Sequence, residues 1–291
     1  MKIVVDLVYV EWGSGHRARS LAEAMRCIGL AGAEVDRLVI ADNKLDCMAI
    51  DGVSARQVIV VPGNNLAREF SGWDEGFRAL GPDGRASVLL FVNDTFAAHR
   101  RIRLARRWRI ARWIRHVSSS GRPEMFGAFD SFGKTPGTWL FGALDKYISS
   151  YLFGMNPDAA RLLFPLTAID PELERLLAAE YSTGGLFTEE LPQAFRRRIE
   201  DWLFTVGNWR NAAALSPANF AFFRLKAKSI LYEYALTSRA TELGVAVNDL
   251  FTGRGRADEL MAYLARTWTE MTSTGRYPWL RAVKAKLLNG G

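Results

Sequence analysis

Four apolar runs rich in β-branched residues each stop at a polar knot, and that recurrence limits what the chain can fold into. Ile3 to Val10 is apolar except for Asp6 and leads into Glu11-Trp-Gly-Ser-Gly-His16. Asp36 to Asp42 closes on Asp42-Asn43, Gln57 to Pro62 on Gly63-Asn64-Asn65, and Ser87 to Val92 on Asn93-Asp94-Thr95. Short runs of this kind read as buried strands. Helical patterns separate them. One covers Arg17 to Ile28, with Ser14 or Gly15 as its cap, Leu21, Ala24, Met25 and Ile28 on one face, and Gly29 and Gly32 at its end. Another covers Glu69 to Leu80. The order strand, helix, strand, strand, helix, strand predicts a mainly parallel sheet with right-handed crossovers. Ligands bind such sheets just beyond the carboxyl ends of the strands, where the knots fall. Singly, each knot is also an ordinary turn, since Asn, Asp and Gly are common turn formers; the recurrence favours a site.

The second half of the chain changes character. Met125 to Phe132 reads as a short strand with Asp130 near its end, followed by a Pro/Gly loop at Gly133 to Gly137. Tyr147 to Asn156 reads as another strand, after which Asn156-Pro-Asp158 caps a helix through Leu163. From Asp170 onward the spacing is helical: Pro171 to Glu180, Pro192 to Leu203, and Asn219 to Leu243, stopped by Gly244. Arg254-Gly-Arg256 reads as a loop and Asp258 to Met271 as a last amphipathic helix. The expected division is an α/β core over residues 1–168 and a helical C-terminal region over residues 169–291 packed on it. Trp202, Trp209, Trp268 and Trp279 fit a core better than sugar platforms.

Composition excludes several classes. The 291 residues contain no apolar run near the ~20 needed to span a bilayer. Met1-Lys2-Ile-Val-Val-Asp6 carries charge within its apolar run, so it reads as a strand and not a signal peptide. Cys27 and Cys47 fit no metal or redox spacing, which fits reduced thiols in a cytoplasmic protein. His16, His99 and His116 form no metal-ligand spacing.

The net charge is +7, yet eight arginines stand between Arg100 and Arg115 with no acid among them. The chain outside that stretch is close to neutral. At helical spacing, Ile102, Ile110, Trp113, Ile114 and Val117 share one sector of residues 99–116, and Leu104, Trp108 and Ala111 form a narrower stripe. Three readings stand. The helix can pack on the sheet with arginine stems along its flanks. It can offer a surface to anionic lipid headgroups or a lipid-diphosphate acceptor. It can bind nucleic acid by neutralising phosphates, the least favoured of the three.

The succession of strand ends resembles the nucleotide-binding half of family 2 glycosyltransferases, which have the GT-A fold. Ile40-Ala-Asp-Asn43 is similar to that family's acidic knot after the second strand. Pro62-Gly-Asn-Asn-Leu-Ala-Arg-Glu-Phe-Ser-Gly-Trp-Asp-Glu-Gly76 is similar to its Asn- and Gly-containing segment opening the next helix. Asn93-Asp-Thr95 stands where the family has Asp-x-Asp, and resembles most the rhamnan-synthesis-type branch. One carboxylate replaces two at this knot. The resemblance runs from about Met1 to Asn156 and implies a GT-A-like, mainly parallel central sheet flanked by helices. It implies a glycosyltransferase, inverting in its stereochemistry. Such an enzyme moves a sugar from a nucleotide-sugar to a saccharide or lipid-linked acceptor in bacterial surface polysaccharide synthesis. The alternative is a non-catalytic binding protein that uses residues 99–116 on nucleic acid or anionic membrane.

The residue types suit that chemistry. Asp42, with Asn43, can accept hydrogen bonds from a base or ribose. Asp94 can hold Mg²⁺ or Mn²⁺ bridging the phosphates of the donor. Asn93 can bond ribose or phosphate, as donor or acceptor. Asn64 and Asn65 tolerate positive φ and let the backbone approach a ligand, and Arg68 can pair with a phosphate. Asp74 reads as a surface helix charge or, less often, a site residue. For the base that deprotonates the acceptor, Asp130 is the first candidate. Glu189 and Glu190 come next, although a helix N-terminus also favours acids there. The expected location is cytoplasmic, peripheral on the inner face of the membrane, with no nucleic acid as partner.

Overall fold

The valine-rich first run becomes β1 (Ile3–Glu11), the third strand in from one edge of a seven-stranded sheet. The computed structural model describes residues 2–44, 54–81, 84–97, 102–131, 144, 146–182, 184–208 and 211–251. The other strands are β2 (Ala33–Asp42), β3 (Ala55–Pro62), β4 (Val88–Asn93), β5 (Glu124–Asp130), β6 (Tyr147–Met155) and β7 (Ala246–Asp249). They lie in the order β3-β2-β1-β4-β6-β5-β7. β1 pairs in parallel with β2 and β4, β2 with β3, and β5 with β7. β6 runs antiparallel to both its neighbours, β4 and β5. The carboxyl ends of all strands but β6 therefore share one edge, and the first residues of β6 reach that edge too.

The helices are α1 (Arg17–Leu30), α2 (Glu69–Leu80), α3 (Leu104–Ser118), α4 (Pro157–Leu163), α5 (Asp170–Arg175), α6 (Gln193–Phe204) and α7 (Phe220–Glu242). Alternation along β1 sorts the two faces. Val5, Leu7 and Tyr9 meet α1 and α3 through Leu21, Ala24, Ile28, Ile110 and Ile114. Val8 and Val10 meet α2 and α7 through Phe70, Trp73 and Tyr232. This second core holds residues from Val8 to Val245, so α5, α6 and α7 pack on the same core as the sheet. Two glycines seat α2 against β1. A Cβ at Gly76 would lie 2.3 Å from Val8 Cγ1, and one at Gly72 would lie 2.8 Å from Val10 Cγ1.

Several expectations change. α1 runs past Ile28 to Leu30 and ends at Gly32, whose φ of 70° suits a residue without Cβ. Its start is a 3-10 turn over Ser14–His16, with His16 at the cap position and no side-chain cap bond. The arginine-rich helix begins at Leu104. The expected helix from Pro171 to Glu180 stops at Arg175, and Leu177 bridges to Phe187 instead. The region after Asp170 is not wholly helical, because β7 closes the sheet beside β5. Four residues carry too little periodicity to mark a strand; its pairing partner defines it. Asn156 does cap α4, accepting from Ala159 N at 3.0 Å. Cys27 is a buried free thiol whose pKa burial pushes up to about 12.

Trp202 packs against the core. Cys47, His99, Arg100, Arg101, Gly133–Gly137, Trp209, Arg254–Arg256, Asp258–Met271, Trp268 and Trp279 lie outside the described residues. Among the described residues, no helix is long and apolar enough to cross a membrane.

Candidate functional site

Parallel pairing brings all four polar knots to adjacent strand ends, in the order β3, β2, β1, β4. Glu11 is the register partner of Asp42, and Val10 that of Asn93. Backbone bonds join the knots: Asp94 N donates to Val10 O at 3.0 Å, and Asn43 N donates to Glu11 O at 3.1 Å. Asp94 also holds the loop after β1, since its Oδ2 accepts from Trp12 N at 3.1 Å. Its carbonyl accepts from Ser20 Oγ of α1 at 2.7 Å. Asn93 donates to Ser150 O at 3.3 Å, and its Oδ1 accepts from Thr95 N at 3.1 Å. Glu11 is buried against the Arg17 guanidinium, with Arg17 Nε 2.8 Å from Oε2.

Asp42 differs from its neighbours. It is 1 % exposed, and its Oδ1 accepts from Lys44 N at 2.8 Å. Among the described residues its buried Oδ2 has no hydrogen-bond partner, and neither has the buried Oδ1 of Asn43. Gly63 donates its N–H to Asp42 O at 2.8 Å. A Cβ there would stand 2.3 Å from Asn43 Oδ1, so glycine lets the β2 and β3 knots meet. Buried polar atoms are nearly always bonded, so two such acceptors on consecutive residues mark a place where a ligand's N–H or O–H fits.

The β3 knot leads to the N-terminus of α2. Asn64 Oδ1 accepts from Leu66 N at 3.0 Å, an Asx-type turn, and Asn65 takes φ 52°. Arg68 sits at the cap position with φ 51° and ψ −130°, a sparsely populated region for a residue with a side chain. Its buried Nε has no partner among the described residues, burial lowers its pKa, and its guanidinium lies 5.4 Å from the Phe222 ring centroid. Glu69 follows, with its Oε1 accepting from Ser150 Oγ at 2.6 Å and from Ser229 Oγ at 3.3 Å. Ser150 N in turn donates to Glu233 of α7 at 2.7 Å. Burial pushes the Glu233 carboxyl up to about 7; Lys226 and the Ser150 bonds oppose this, and Glu69 adds to it.

The other half of the edge carries Asp130 at the end of β5, exposed, with its Oδ1 accepting from Ser131 N at 2.8 Å. Tyr147 and Tyr151 of β6 lie within its field. Burial raises both phenol pKa values, and Asp130 adds to both. Asp249 at the end of β7 accepts from Phe129 N at 3.3 Å and Phe251 N at 3.0 Å. Arg106 of α3 bonds the Tyr151 hydroxyl and stacks between the Tyr151 and Phe251 rings, at 4.9 and 5.3 Å from their centroids.

Not every candidate joins this row. Glu189 and Glu190 are exposed on the turn before α6, beside the Leu177–Phe187 bridge, and Glu190 pairs with Arg175 at 3.0 Å. Asp74 is not a surface charge. It is buried and accepts from Leu166 N at 2.6 Å and Thr167 N at 2.9 Å, pinning the turn after α4. The sequence reading missed Glu11, Glu69, Ser150, Glu233 and Asp249. Glu11 and Asp249 stand at strand ends and carry the same signal as Asp42. Glu233 lies inside a helix buried on nearly all sides, where spacing singles out no face.

A scan against protein-family models gives no match to this chain, and a search of curated proteins gives none either.

Proposed function

We propose that this protein is a glycosyltransferase of the GT-A type that takes a nucleotide-sugar donor across the ends of β2, β1 and β4. One observation carries the reading: the buried, unpartnered Oδ2 of Asp42, beside the unpartnered Oδ1 of Asn43, at the carboxyl edge of a mainly parallel sheet. Such a pair accepts the N–H of a base or the hydroxyl of a ribose. The diphosphate then extends toward Asn93 and Asp94. Arg68, strained and with an unbonded Nε, is the cation on the α2 side. The Glu11 carboxylate is matched by Arg17; Asp94, which also holds Trp12 N, is the carboxylate proposed for Mg²⁺ or Mn²⁺. A cation held by one carboxylate completes its shell with phosphate oxygens and water. It would supply charge stabilisation to the departing diphosphate. Asp130 is the base candidate that shares this edge. The acceptor is a saccharide or a lipid-linked acceptor of bacterial surface polysaccharide synthesis, as the family resemblance implies.

The test is thermal unfolding with a panel of nucleoside diphosphates, with and without Mg²⁺ or Mn²⁺. A ligand that binds only the folded chain raises its stability by about 2.7 kcal/mol at a hundred times its Kd. Stabilisation by at least one nucleotide is expected, and its loss in Asp42→Ala places the nucleoside at β2. If no nucleotide stabilises the protein, the donor site is wrong.

A further inference from the structure

Five exposed apolar side chains stand along or next to the edge that carries the candidate site. Leu66 follows β3 at 71 % exposure, Trp12 follows β1 at 52 %, and Leu104 opens α3 at 50 %. Trp108, one turn further along α3, and Phe251, just after β7, are exposed as well. β3 and β7 are the outermost strands, so these side chains extend along the whole edge of the sheet. With strands about 4.8 Å apart, seven of them give roughly 30 Å. A small ligand does not cover that distance; a flat surface does.

Charge says which surface. α3 has no acid along its length, and all eight arginines between Arg100 and Arg115 stand in or just before it. Several are engaged within the fold, among them Arg106 with Tyr151, Arg107 with Glu23, and Arg115 with Leu30 O. Arg103 is exposed at the cap position, and Arg109 lies over the Phe251 ring at 5.7 Å from its centroid, beside the exposed apolar residues. Aromatic rings flanked by arginines suit the headgroup layer of a membrane: the ring enters the boundary and the guanidinium meets an anionic lipid. Each such cation contributes about 1 kcal/mol near an anionic surface.

We propose that this edge docks on an anionic phospholipid bilayer, with Leu104 and Trp108 entering the headgroup layer and Arg103 and Arg109 meeting its charge. Binding to the bilayer does not depend on the donor-site reading. The consequence for the acceptor does: a site on a membrane-facing edge takes an acceptor anchored in that membrane.

The experiment is co-sedimentation of the full chain with phosphatidylcholine vesicles, with or without phosphatidylglycerol, at low and high salt. The protein is expected to bind the anionic vesicles about tenfold or more tightly than the neutral ones, and to release in high salt. Leu104→Ser with Trp108→Ser, and separately Arg103→Glu with Arg109→Glu, should each weaken vesicle binding about tenfold. Both pairs should keep the wild-type melting temperature and nucleotide response. Equal binding to both vesicle types, no vesicle binding, or variants that bind like the wild type would each overturn the proposal. So would salt-sensitive binding to RNA or DNA with none to vesicles. The nucleotide measurement stands apart, so a failed donor site and a failed membrane contact are told apart.

Discussion

Glu11 and Asp42 are register partners at the ends of adjacent strands, both almost fully buried. Among the described residues only Glu11 has a cation against it, the Arg17 guanidinium. Asp42 has no such cation among the described residues, and its Oδ2 is left as an unmet acceptor. Taking one partner from a buried ion pair costs about 3–5 kcal/mol, so the Glu11 side of the edge belongs to the fold.

Asp42→Ala is expected to behave differently. It removes one local bond, to Lys44 N, so the unfolding free energy without ligand should fall by no more than about 1.5 kcal/mol. The stabilisation that nucleoside diphosphates give the wild type should vanish. Urea unfolding with and without nucleotide checks both; a loss near 4 kcal/mol without ligand would make Asp42 a fold residue.

Gly76→Ala should destabilise the protein even though alanine is the better helix former by about 1 kcal/mol. The new methyl would meet Val8 Cγ1, a core side chain on the central β1, so α2 must lift from the sheet. Overpacking of this kind costs about 1–3 kcal/mol. Urea unfolding should show the midpoint falling, whereas a rise would mean that α2 has room to move.

Glu233 links stability to pH. Its folded pKa stands near 7, above its ordinary 4.5, because burial disfavours the charge. Below pH 4.5 both states hold the proton. As pH rises from 4.5 to 7 the unfolded chain ionises first, so this residue lowers stability across that window. Glu233→Gln keeps an acceptor for Ser150 N and cannot ionise. Its stability relative to the wild type should rise between pH 4.5 and 7 by about 2–3 kcal/mol. A difference independent of pH would show that the carboxyl is charged in the folded protein throughout.

Asp130→Asn, assayed with an identified donor and acceptor, should lose about 10²-fold or more in kcat while nucleotide affinity holds, as expected for a general base. Glu189→Gln and Glu190→Gln should keep kcat. Glu190 gives up an exposed pair with Arg175, and such pairs contribute about 0–1 kcal/mol to stability. Full turnover in Asp130→Asn would remove it from the mechanism.

Where the sequence was informative, the reason is burial on both faces of a strand. The runs at β1, β2 and β4 are valine-, leucine- and isoleucine-rich because helices cover both sides. Their ends stood out because a polar knot interrupts such a run abruptly. α2 was legible at both ends, Glu69 and Leu80. β7 was not, since four residues next to Gly244 take their identity from pairing with β5. Glu233 and Ser150 were not either. Their meeting depends on α7 crossing β6, a contact between residues 83 apart that no local pattern encodes. Asp74 misled, because its acceptors are filled by a turn 92 residues further on.

The place of β7 also orders events during synthesis. Phe129 N waits for Asp249, 120 residues later in the chain, so the β5 side of the sheet stays an open edge until Asp249 has been made. β1, β2, β3 and β4 need nothing beyond Asn93 to pair with one another. The half that carries Asp42, Asn93 and Asp94 can therefore assemble while the half that carries Asp130 is still being translated. An unpaired edge in a nascent chain is where chaperones and stray strands attach, and here that exposure falls on the Asp130 side.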